Sequence, residues 1–192
     1  ADENDPASYV FKPTDEYLQK IKDAGTEIFY RLGASIEHGY KKGTYPPKDY
    51  LKWARICERI IMHYNEGWAN GFHHNIQYWN EADNYQADGS NPCWQGSLEE
   101  FVDFYCVSAT YLKEKFPALK IGGPAIAWTG TALLEMLLKA CNKRNAPLDF
   151  LSYHFYKYTI EQMEEKRIPK EELAEEIDID YLIHDVLIIK AE

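Results

Sequence analysis

The run Ile76-Gln77-Tyr78-Trp79-Asn80-Glu81 carries an apolar, aromatic segment straight into an amide and a carboxyl group. A carboxyl placed just past a buried strand, at the mouth of a parallel sheet, stands where α/β folds put their catalytic groups. Glycosidic cleavage needs two such groups. One acid protonates the leaving oxygen, and a second carboxylate attacks the anomeric carbon or activates water. The first must hold its proton near neutral pH, and burial against Trp79 together with repulsion from its partner is the expected cause. A solvated loop glutamate without a chemical role is the alternative that spacing alone leaves open.

The elements that would position Glu81 follow from periodicity and punctuation. Ala1 to Pro13 reads as a polar arm. Thr14 is expected to cap a short helix through Asp23, with Gly25 as its stop. Thr26 to Leu32 is β-branched and aromatic, a buried strand. Gly33 to Pro46 is a loop carrying Glu37 and His38. A helix from Pro47 to about Glu66 follows from the helical spacing of Tyr50, Trp53, Cys57, Ile60, Ile61 and Tyr64. His74 to Trp79 is the next strand and Asn80 to Gly96 the next loop. Ser97 and Glu100 form a capping box that opens a helix to Phe116, where Pro117 ends it.

Leu119 to Ile121 is a strand that gives way to Gly122-Gly123-Pro124, and Thr131 caps a helix through Lys143. Leu148 to His154 is a strand, Thr159 to Glu176 is helical with a break near Pro169, and Val186 to Ile189 is the last strand. Helices and strands therefore alternate, the pattern of parallel strands joined by right-handed crossovers in one domain over residues 1–192. Alternation by itself does not separate an open doubly wound sheet from a closed barrel.

Trp79-Asn80-Glu81 resembles the W-N-E motif that ends the fourth strand in clan A glycoside hydrolases. The flanking segments resemble family 39, the group of β-xylosidases and α-iduronidases. Lys120-Ile121-Gly122-Gly123-Pro124-Ala125 is similar to the fifth strand, and Asp149-Phe150-Leu151-Ser152-Tyr153-His154-Phe155-Tyr156 to the sixth. The resemblance covers about residues 14 to 160, with the three motifs in order. It implies a TIM (β/α)8-type barrel, with Glu81 as general acid/base and Asn80 hydrogen-bonded to the sugar 2-hydroxyl. His154 and Tyr156 would line the sugar site, and their spacing of two puts them on one strand face. The nucleophile is expected at the end of the seventh strand, where Glu192 is the positional candidate. His38, beside Glu37, and Trp128, after the fifth strand, are further candidates for the sugar site. Two departures stand out. Ala82 replaces the proline that usually follows the glutamate. A whole barrel needs about 250 residues, whereas the first element here matches the third strand, so strands three to seven of an incomplete barrel are expected.

The bulk properties fit this reading. A net charge of −10 disfavours nucleic acid and anionic membrane as partners, and carbohydrate is the expected one. Fifteen tyrosines and five tryptophans serve either as core or as platforms for sugar rings. Cys57, Cys93, Cys106 and Cys141 show no paired spacing and read as small buried thiols. His73 and His74 are adjacent and would point to opposite strand faces, so no metal site is expected. No leader-like or membrane-spanning segment is evident, a soluble protein is expected, and no cofactor is required. The functional alternatives are a retaining glycosidase and a non-catalytic sugar-binding or scaffold module derived from one. An open-sheet oxidoreductase lacks the dinucleotide fingerprint.

Overall fold

Pro13 sets where the first helix starts. Its fixed φ suits a first turn, and α1 spans Lys12–Asp23 with Phe11 at its cap position, three residues earlier than a Thr14 cap would allow. The computed structural model describes residues 2–26, 28–33, 44–64, 75–127 and 132–154, with residues 75–78 described by their backbone. Gly25, at φ 75°, ends α1 as expected. The arm before it is not loose. Pro6–Ser8 form a 3-10 turn capped by Asp5, and Glu3 pairs with Lys52 at 3.1 Å and Arg55 at 2.9 Å.

Strand β1 is only Tyr30–Leu32, shorter than the β-branched run suggested, and Phe29 is half exposed just before it. Helix α2 spans Tyr50–Met62. Its cap is Asp49, whose carboxylate accepts from the Lys52 N–H at 2.8 Å, so Pro47 lies outside the first turn. Strand β2 is Asn75–Tyr78, and α3 spans Leu98–Lys115 behind the expected Ser97/Glu100 capping box. Strand β3 is longer than expected. It runs Lys120–Ile126, straight through the two glycines and the proline, with a cis bond at Gly123-Pro124. Helix α4 spans Ala132–Arg144 and strand β4 is Leu151–Tyr153.

The strands lie in the order β1-β2-β3-β4, all parallel, with Leu32 opposite Tyr78 and Ile76 opposite Ile121. Sequential parallel strands separated by helices are what the alternation implied. The β3–β4 register slips between Gly123 and Ile126. Gly122 makes the close approach there possible, because a Cβ would stand 2.2 Å from the Phe150 carbonyl oxygen.

Helix α3 packs against both α2 and α4, which is why it buries residues on two sides, among them Phe101, Phe104, Tyr105 and Leu112. An aromatic layer fills the space between α3 and the sheet edge. Trp79 meets Trp94 edge to face at 5.1 Å, and Trp53 meets Phe104 at 4.6 Å. Each fully buried side chain of this size contributes about 1.5–3 kcal/mol. All four cysteines are buried free thiols. Cys106 and Cys141 face each other across α3 and α4, where each thiol perturbs the other. Among the described residues no helix is long and apolar enough to cross a membrane. The expected elements beyond Tyr153, from Thr159 to Glu176 and Val186 to Ile189, lie outside the described residues.

Candidate active site at the ends of β2, β3 and β4

The main chain itself brings Glu81 and His154 together. Past β2, Trp79 and Glu81 take positive φ values of 54° and 46°, turning the chain sharply. The Trp79 N–H donates to the Leu32 carbonyl at 2.8 Å, and the Glu81 N–H donates to the Ala125 carbonyl at 2.9 Å. Asp83 fastens the next step, its Oδ1 accepting from the Ala127 N–H at 2.9 Å. On the other side, the Ala125 N–H donates to Ser152 Oγ at 2.9 Å and the His154 N–H to the Ile126 carbonyl at 2.8 Å. The end of β3 is thus the plank on which both the β2 loop and the β4 exit rest.

The result is a hydrogen bond between Glu81 Oε1 and His154 Nδ1, across 73 positions of sequence. Asn84 Nδ2 donates to Glu81 Oε2 at 2.8 Å. Arg31, on β1, completes the electrostatic surroundings. Burial pushes its guanidinium below its ordinary value, and the negative charge of Glu81 works against that shift. The Glu81 side chain keeps 16 % of its surface and that of His154 27 %, so the pair is sheltered yet reachable.

Trp79 does something other than the sequence suggested. Its indole is turned to the core, where Nε1 donates to the Cys93 carbonyl at 2.8 Å and the ring contacts Trp94 and Phe104. The groups bonded to the Glu81 carboxyl are polar, His154 and Asn84, rather than this indole. Asn80 is buried beside Glu81, and its Oδ1 has no hydrogen-bond partner among the described residues. Asp83 belongs to the loop, as its bond to Ala127 shows, although its Oδ2 is likewise buried without a partner there.

The expected site residues His38, Trp128, Tyr156 and Glu192 lie outside the described residues, as do Glu37, His73 and His74. Among the described residues, no group of three His, Cys, Asp or Glu side chains is arranged to hold a metal. Sequence reasoning missed Arg31 and Asn84. Arg31 carried a faint signal, a charged residue directly after the apolar run Ile28-Phe29-Tyr30. Asn84 carried none, since loops of this composition are full of asparagine and aspartate.

A carboxyl and an imidazole sharing one hydrogen bond, with an amide on the other oxygen, form a proton-exchanging group fit for acid/base catalysis. Comparison with known proteins finds glycosidases. A β-xylosidase of Caldicellulosiruptor saccharolyticus is 27% identical over 162 residues, covering 78% of this chain and 31% of its own length. A β-xylosidase of Geobacillus stearothermophilus is 30% identical over 121 residues, covering 61% of this chain and 23% of its own. Among solved structures, a glucosidase from Croceicoccus marinus superposes with a TM-score of 0.66 at 28% identity, over 81% of this chain and 32% of its own. The chain thus spans a third or less of the length of these relatives. The profile of glycosyl hydrolases family 39 matches residues 2–187, almost the whole sequence, and the chain belongs to that family.

Proposed function

We propose that this chain carries the acid/base half of a retaining glycoside hydrolase, acting on O-glycosidic bonds of oligo- or polysaccharides by double displacement. The observation that carries the proposal is the Glu81–His154 contact past the ends of β2 and β4, the two strands that flank β3, with Asn84 on the other carboxyl oxygen. Glu81 protonates the leaving oxygen while a carboxylate attacks the anomeric carbon, and the C–O bond breaks with its electron pair on the departing oxygen. Glu81 then takes a proton from the water that hydrolyses the glycosyl-enzyme. Asn80 is assigned the hydrogen bond to the sugar 2-hydroxyl. Tyr156, His38 and Trp128 are assigned to the sugar site by position, and Glu192 is the candidate nucleophile.

The four parallel strands are read as consecutive staves of a (β/α)8 barrel, equivalent to strands three to six, with the seventh beyond them. Retention requires the two carboxyls about 5–5.5 Å apart. The β-xylosidases among the relatives make aryl β-xylosides the first substrates to try. The Glu81→Gln change is expected to cut hydrolysis of substrates with poor leaving groups about 10²–10⁴-fold, and to cut it less where the leaving group needs no proton. Unchanged rates in the variant would reject the acid/base role. Binding of xylo-oligosaccharide without turnover by the parent would instead support a sugar-binding module.

A further inference from the structure

The acid/base step leaves two amides on the Glu81 loop without a role. Asn84 Nδ2 donates to Glu81 Oε2 at 2.8 Å, and Gln86 Nε2 donates to Asn84 Oδ1 at 3.0 Å. The backbone fixes both. The Asn84 N–H donates to the Glu81 carbonyl at 3.0 Å, the Gln86 N–H to the Ser90 carbonyl at 2.8 Å, and the Gly89 N–H to the Gln86 carbonyl at 2.9 Å. The direction of this chain follows from chemistry. A carboxylate offers only acceptors, so Asn84 must present its NH₂ group to it. Its carbonyl then faces Gln86, which must supply a donor.

We propose that the Asn84–Gln86 amide pair positions Glu81 by holding Oε2 as a fixed acceptor, so that the exchangeable proton resides on Oε1, the oxygen shared with His154. The inference rests on the reading of Glu81 as the acid/base. A neutral carboxyl has one O–H. Placed on Oε2, it would set a donor against the Asn84 donor. Placed on Oε1, it meets Nδ1 of a His154 tautomer protonated at Nε2. In the first chemical step the Oε1–H bond breaks and the proton passes to the leaving oxygen. In the second, a water O–H bond breaks, its proton returns to Oε1, and the water oxygen bonds the anomeric carbon. Oε2 keeps its bond to Asn84 throughout. Among the described residues, the other charged groups to be reckoned with are Arg31, on β1, which senses the charge of Glu81, and Asp83, whose Oδ1 is bonded to the Ala127 N–H.

A donor on Oε2 favours the carboxylate over the acid, so its removal has a signed consequence. The test follows the Glu81 side-chain carboxyl by ¹³C NMR in the full chain, the resonance being assigned by its loss in Glu81→Gln. Asn84→Ala is expected to move the titration midpoint up by about one pH unit. Asn84→Asp moves it up at least as far, because a like charge replaces the donor. Gln86→Ala, an exposed change, produces a smaller rise in the same direction. A purely structural role for Asn84 would leave the midpoint in place while native amide spectra persist, and that result overturns the proposal. If Asn84→Ala does not fold, an unmoved midpoint in Gln86→Ala overturns it equally. The two failures are separable. An unmoved midpoint with Glu81→Gln inactive removes the amide relay alone, whereas full activity in Glu81→Gln removes the acid/base role wherever the midpoint lies.

Discussion

The aromatic layer around α3 and the loop from Trp79 to Gln95 meet at two indoles, Trp79 and Trp94, yet they are held by opposite means. The layer is a matter of volume. Phe101, Phe104 and Leu112 are fully buried and need only partners of matching shape. The loop is a matter of hydrogen bonds. Asn91 alone makes three, donating to the Ala82 carbonyl at 2.8 Å and accepting from the Cys93 and Trp94 N–H groups at 2.9 and 3.0 Å. Where volume governs, many apolar side chains will serve. Where buried hydrogen bonds govern, one wrong residue strands several backbone groups at once. The chemistry sits on the second kind of structure, and the first kind gives it a floor.

Substitutions can break this contrast in graded ways. The largest effect is expected from Phe104→Ala, which removes a ring shared by Trp53, Trp79 and Trp94. Its loss should cost about 3–5 kcal/mol in urea unfolding, without changing the Glu81–His154 bond in the surviving native state. Next is Gly33→Ala. Gly33 sits at φ 129°, and a Cβ would stand 2.5 Å from Trp79 Cε3, so either the backbone or the indole must move. A loss of about 2–4 kcal/mol is expected, with a shift in Trp79 fluorescence.

Asn91→Ala should cost about 2–3 kcal/mol. It should also speed hydrogen exchange at the Glu81 amide by more than the global loss explains, because the loop opens before the core does. Equal changes at Glu81 and in α3 would show that loop and layer unfold as one unit.

The smallest effect is expected at Asp149, whose Oδ2 accepts from Lys113 Nζ at 2.8 Å and the Ile121 N–H at 2.7 Å. Burial raises its pKa, but the bonds from Lys113 and Ile121 outweigh burial and leave it below the ordinary aspartate value. A lowered folded-state value contributes stability above the unfolded pKa of about 4. That stability disappears as pH falls through the folded value. Asp149→Asn should therefore cost about 0.5–1 kcal/mol at neutral pH, and nothing at the acid end of the same titration.

What the sequence made legible was whatever is written locally. The Ser97/Glu100 capping box, the stop at Gly25 and the alternation of elements all depend on residues within one or two turns of each other. Trp79-Asn80-Glu81 and His154 stood out through their resemblance to family motifs, since spacing alone left a solvated glutamate and a structural histidine open. Gly122-Gly123-Pro124 resembles a turn, so local sequence implies that β3 ends at Ile121. It continues because β2 and β4 flank it on both sides, which no local rule reports. Proline's preference for a first turn implies a start of α2 at Pro47, but Asp49 supplies a side-chain acceptor and Pro47 does not. Arg31 and Asn84 owe their places near Glu81 to the sheet order and to a sharp turn, both products of tertiary structure.

The fastening of Glu81 to the Ala125 carbonyl, and of His154 to that of Ile126, has an evolutionary consequence. Peptide groups are common to every amino acid, so mutation cannot easily erase these two links. Side chains along the plank can drift, Ala82 among them, while Glu81 and His154 stay in register. Low overall identity to distant homologues is then compatible with an undisturbed Glu81–His154 contact.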